Sequence, residues 1–156
     1  MSNVGPKFTV NAAFFQEIKE DHQQLKHVLG KLAKLTSLGP AINNHGNKLT
    51  SLLAELRDQL AFHFALEEAY GYFEDAIERA PRFHEQAGKL RSQHAELYLM
   101  SQEIADQAGA ELTLESSDFV SIGEKFDHFN TALAAHESAE LRLILDAISL
   151  DVGEGD

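Results

Sequence analysis

The sequence predicts an all-α protein, an antiparallel up-down-up-down four-helix bundle in a single domain. Apolar residues recur at alternating steps of three and four along nearly the whole chain, the spacing that keeps one face of a helix on a core. No stretch alternates as a strand would. Gly39-Pro40, Pro81 and Gly109 divide the chain into four long segments. At 156 residues the chain is one domain, 1-156, long enough to bury a core without disulfides.

The first helix, about 11-36, aligns Phe15, Ile18, His22, Leu25, Leu29 and Leu32, and Gly39-Pro40 ends it. The second, about 47-79, aligns Leu49, Leu52, Leu56, Leu60, His63, Glu67, Tyr70 and Glu74. It stops before Pro81, which suits the opening position of the third helix, about 81-108. That helix aligns Phe83, Ala87, Leu90, His94, Leu97, Ser101 and Ile104, and Gly109 closes it. The fourth, about 118-150, aligns Phe119, Ile122, Phe126, Phe129, Leu133, His136, Glu140, Leu143, Ala147 and Leu150, with Ser117 or Asp118 as its N-cap. Short connections favour antiparallel neighbours. The remaining 151-156, rich in glycine and acid, is expected to be a flexible tail.

Composition narrows the chemistry. No cysteine occurs, so thiol catalysis, iron-sulfur clusters and Cys-ligated zinc are excluded, and any metal is held by nitrogen and oxygen. Thirteen basic residues against 25 acidic ones give a net charge of -12, which repels nucleic acid and anionic lipid. No window reaches the roughly 18 apolar residues of a membrane span, and the N-terminal stretch lacks the apolar run of a signal peptide. A cytoplasmic protein is expected.

The informative anomaly lies on the apolar stripes. Each helix carries one histidine there: His22, His63, His94 and His136. Helices two and four add Glu67 and Glu140 four residues later, one turn along the same face. Buried imidazoles and carboxylates without partners are costly, and a bound cation satisfies them together. Their depths agree. His22 lies about 14 residues before its helix ends and His63 about 16 after the next begins, a mismatch near 3 Å at ~1.5 Å per residue. The same reckoning places His94 and His136 in that layer. Such nitrogen and oxygen donors suit iron, manganese or zinc. His27, His45, His84 and His128 fall off the stripes and read as surface residues, and Glu68 and Glu137 are expected to be solvated.

The pattern of a histidine, HxxxE, a histidine and a second HxxxE, on successive helices, resembles the hemerythrin-like (HHE cation-binding) family, and the resemblance covers nearly the whole chain. It implies two non-haem iron ions joined by an oxo or hydroxo bridge. His22 and His63 would bind one, His94 and His136 the other, with Glu67 and Glu140 bridging. Five donors per iron leave a position for oxygen, nitric oxide or peroxide, in sensing, detoxification, iron storage or iron-centre repair. Oxygen-carrying hemerythrins have a further histidine four residues after the one on helix three, where this chain has Tyr98. Tyr98 is therefore either an additional ligand or core filling, and the ligand set is closer to the repair and nitric-oxide-response members. Those usually carry an N-terminal cysteine segment, which this sequence lacks. Ferritin-like bundles use Glu-x-x-His, and none of the eight histidines here has that spacing. The alternative is a regulatory bundle with a structural metal site whose acidic surface docks a partner protein through Leu53, Leu99 and Ile144.

Overall fold

The structure, a computed structural model, describes residues 12–69 and 81–155. Four helices carry the chain: α1 Ala12–Thr36, α2 Gly46–Ala69, α3 His84–Glu111 and α4 Phe119–Gly155. Each packs against its neighbours in sequence, and α1 packs against α4, closing the antiparallel bundle. The expected continuation of the second helix through Tyr70 and Glu74 lies outside the described residues. So do the side chains of Phe15, Ala147 and Leu150.

The connections explain where the helices stop. Gly39 takes φ +62°, a left-handed conformation that breaks α1 cleanly, and a 3-10 turn over Gly39–His45 follows. Gly46 then opens α2 directly beneath the Phe119 ring. A second 3-10 turn, Pro81–Phe83, precedes α3, so the third helix is not α-helical from its expected first residue. Gly109 does not close α3 either. No backbone distortion is needed there, and the helix runs on to Glu111, with Leu112 N–H still bonded to Ala108. Asp118 caps α4 as expected, its Oδ1 accepting from Ser121 N at 3.1 Å. Asn43 Oδ1 accepts from Phe119 N at 2.8 Å, tying the first connection to the start of α4. The helix then continues to Gly155, past the expected end near 150, because no proline interrupts its ladder of hydrogen bonds.

The core divides in two along the bundle axis. The larger cluster takes in Leu25, Leu32, Leu49, Leu56, Phe126 and Phe129. A smaller one of Ala87, Leu90 and Leu143 lies beyond. Between them, the stripes of α2, α3 and α4 carry polar residues: His63, His94, His136 and Glu140 are all buried. Fully burying an aliphatic side chain is worth ~1.5–3 kcal/mol, so the apolar layers on either side can hold that polar layer in place. Leu53, Leu99 and Ile144 share no surface: Leu53 is core, Leu99 is exposed and Ile144 lines a cavity. Among the described residues no helix is long and apolar enough to cross a membrane.

Candidate metal centre

Three histidines turn the same nitrogen inward. Nδ1 of His63 meets Asp21 Oδ2 at 2.5 Å, Nδ1 of His94 meets Glu68 Oε2 at 3.0 Å, and Nδ1 of His136 donates to Gln93 Oε1 at 2.8 Å. With its outer nitrogen anchored, each ring is fixed in orientation and presents Nε2 to the middle of the bundle. This is the arrangement expected of metal-ligating imidazoles, whose other N–H is almost always held by an oxygen.

The inward nitrogens meet carboxylates. Glu67 faces both ways: Oε1 lies 2.8 Å from His63 Nε2, and Oε2 lies 3.5 Å from His94 Nε2. Glu140 Oε2 lies 3.1 Å from His94 Nε2 and 2.9 Å from His136 Nε2. Two sets of donors result, with all ligand atoms in each within 4.8 Å of one another: Glu67, His94, His136 and Glu140, and His63, Glu67 and Glu137. Glu67 belongs to both.

A test of fit comes from His136. Its Nε2 is buried and, among the described residues, is the buried side-chain polar atom with no hydrogen-bond partner; its 2.9 Å approach to Glu140 lacks hydrogen-bond geometry. With Nδ1 donating to Gln93, Nε2 of the neutral ring holds a free lone pair beside Glu140. An orphaned buried acceptor is costly, and a cation removes that cost. The donor set suits one.

The charges are strongly coupled. Burial alone would lower the His63 pKa, but Asp21, Glu137 and Glu67 outweigh it and hold the group up to about 12. His94 is held up to about 10 despite burial, by Glu140, Glu67 and Glu68. Glu67 is kept well below the ordinary carboxyl range: burial opposes this, and hydrogen bonds from His63 and His94 prevail. Burial and the neighbouring Glu67 push Glu140 up, while His94 acts against the rise.

A family model for the hemerythrin HHE cation-binding domain matches residues 13–148. The chain belongs to the hemerythrin HHE family. Comparison with curated proteins and with solved structures gives no significant match. In this hemerythrin-like domain the His/Glu cluster could hold a metal.

Five residues of the motif, His63, Glu67, His94, His136 and Glu140, meet in one layer. His22 is set apart from them. It is exposed, its ring stands edge-on to His63 with centroids 5.2 Å apart, and it belongs to neither donor set. The buried carboxylate of α1 is its neighbour Asp21. Glu68 and Glu137 are not merely solvated, since each reaches a histidine of the layer. A rotation of about 100° from Glu67 and from His136 still leaves a long glutamate within reach across the helix interface. Tyr98 is half-buried and belongs to neither donor set. His27, His45, His84 and His128 are exposed as expected.

A cavity of about 310 Å³ opens beside the centre, lined by His22, His63, Glu67, Glu137 and Glu140 together with apolar residues such as Ile18 and Ile144. Phe64 stacks on the His94 ring, with centroids 4.1 Å apart and planes 9° apart. This cavity opens on the face shared by α1, α2 and α4, and a second, of about 340 Å³ and lined by Leu90, Gln93, Leu97 and Ala139, reaches His136 from the side of α3 and α4.

Proposed function

We propose that this hemerythrin-like domain holds two iron ions and binds a small ligand, oxygen, nitric oxide or peroxide, for sensing, detoxification, iron storage or iron-centre repair. The observation that carries the reading is the division of donors into two sets joined by Glu67, one set containing the unpartnered lone pair of His136. His63, Glu67, His94, His136 and Glu140 would hold the ions, with His22 beside His63 at the cavity. When bound, iron supplies a coordination position that such a ligand can occupy.

The rest is done by the protein. Asp21, Glu68 and Gln93 fix the rings so that no reorientation is needed on metal binding. The cavity admits a diatomic or peroxide on the His63 side, while Phe64 packs against the His94 ring. With no cysteine in the sequence, nitrogen and oxygen donors leave manganese and zinc as competing cations. Elemental analysis of the isolated protein is the first test, and two irons per chain is the expected result. Visible spectra before and after oxygen, nitric oxide and hydrogen peroxide are the second; a spectrum unmoved by all three would sink the ligand-binding role.

A further inference from the structure

The HHE pattern accounts for six residues, but the layer holds another carboxylate at bonding range. Glu137 follows His136 on α4, and the rotation of about 100° per residue turns it from the His136 side of the layer toward α1 and α2. Its Oε1 lies 2.8 Å from His63 Nε2, the same distance as Glu67 Oε1 from that nitrogen. Donors sharing one cation at bond lengths near 2.1 Å stand roughly 3 Å apart when at right angles, so the spacing is that of ligands around one ion. His22, the histidine the pattern assigns to this side, is exposed and outside the donor set.

Charge balance points the same way. His63 is surrounded by Asp21, Glu67 and Glu137, and Glu140 lines the same cavity. One imidazole, even protonated, supplies a single positive charge to this group of acids. A divalent or trivalent cation at the shared point of His63, Glu67 and Glu137 neutralises more of it, without moving any of the three side chains far. The unpartnered, buried Nε2 of His136 in the adjoining set shows independently that this layer is built around a ligand.

We propose that Glu137 supplies a carboxylate oxygen to the cation on the His63 side of the centre, a role outside the HHE pattern. The inference rests on the two-ion reading above. It makes the centre asymmetric, with one side richer in histidine and the other richer in carboxylate, and it places Glu137, whose side chain is 31% exposed, at the cavity that admits ligand.

The test is a titration of the metal-stripped full chain with cobalt(II), followed by visible absorption, for the wild type, Glu137→Gln and Glu137→Ala. The partial exposure of Glu137 makes folding of both variants the expectation, and circular dichroism checks it. The wild type should take up two equivalents. Each variant should take up one with unchanged affinity and bind the second at least about tenfold more weakly, with an altered spectrum for that ion alone. Two equivalents bound with wild-type affinity and spectrum would overturn the proposal. So would equal weakening of both ions, which would make Glu137 only a source of nearby negative charge. A wild type that binds a single ion would refute the two-ion reading itself, and this inference with it.

Discussion

The carboxylate of Asp21 meets Nδ1 of His63 at 2.5 Å, and Gln59 Nε2 donates to its other oxygen at 2.7 Å. Both Asp21 and His63 are buried, so the pair fixes the ring plane and keeps Nε2 turned toward Glu67. Outer partners of this kind typically account for 10–100-fold in metal affinity. Asp21→Asn keeps the size of the side chain and removes its charge. It should weaken the ion on the His63 side by about that factor and leave the His94 and His136 side nearly unchanged, as read by metal titration. Equal affinities in variant and wild type would reduce Asp21 to a packing residue.

The metal-free protein should lose stability as pH rises. His63 and His94 are held up to about 12 and about 10, from 6.5 when unfolded, so between these values the folded chain binds protons that the unfolded chain has released. Their contribution is complete below about 6.5; that of His94 is lost as pH rises through about 10, and that of His63 through about 12. Melting temperatures of chelator-treated protein should therefore fall from neutral to alkaline pH. A cation displaces those protons, so its affinity should rise over the same range. A metal-free melting temperature that stayed level or climbed would contradict the charge arrangement around His63.

Most of this site was legible because three helices carry unambiguous stripes. In α4 the buried series Phe119, Ile122, Phe126, Phe129, Leu133, His136, Glu140 and Leu143 keeps steps of three and four without a gap, so both ligand candidates fall on the inner face. In α1 two stripes compete. The one through Ile18, His22 and Leu29 contains the expected histidine, but the buried one runs through Asp21, Leu25, Val28, Leu32 and Leu35. Reading back from Leu35 in steps of three and four lands on Asp21, a signal present in the sequence but masked by the histidine beside it. Glu68, Gln93 and Glu137 were not legible in the same way. Their reach to His94, His136 and His63 depends on side-chain length and on how closely neighbouring helices approach, which periodicity does not encode.

Gly46 is a position where a methyl group has no room. A Cβ built there would lie 2.5 Å from a ring carbon of Phe119, and that ring is buried at the start of α4. Gly46→Ala gains up to ~1 kcal/mol of helix propensity, but overpacking a filled site costs typically ~1–3 kcal/mol. A net loss of stability is expected in denaturant unfolding. Metal stoichiometry should not change, since the contact lies at the end of the bundle away from the His63 layer. A stabilised variant would mean that Phe119 has space to move aside.

Ile144 tests whether the cavity is the route to the centre. It is half-buried one turn beyond Glu140 on α4, and it lines the cavity without belonging to either donor set. Ile144→Phe enlarges the side chain toward a cavity of about 310 Å³ while leaving every candidate ligand in place. The variant should bind the same number of metal ions as the wild type, with the same affinities, yet associate with nitric oxide severalfold more slowly in stopped-flow absorption. Unchanged association rates, with metal content intact, would place the ligand route elsewhere in the bundle.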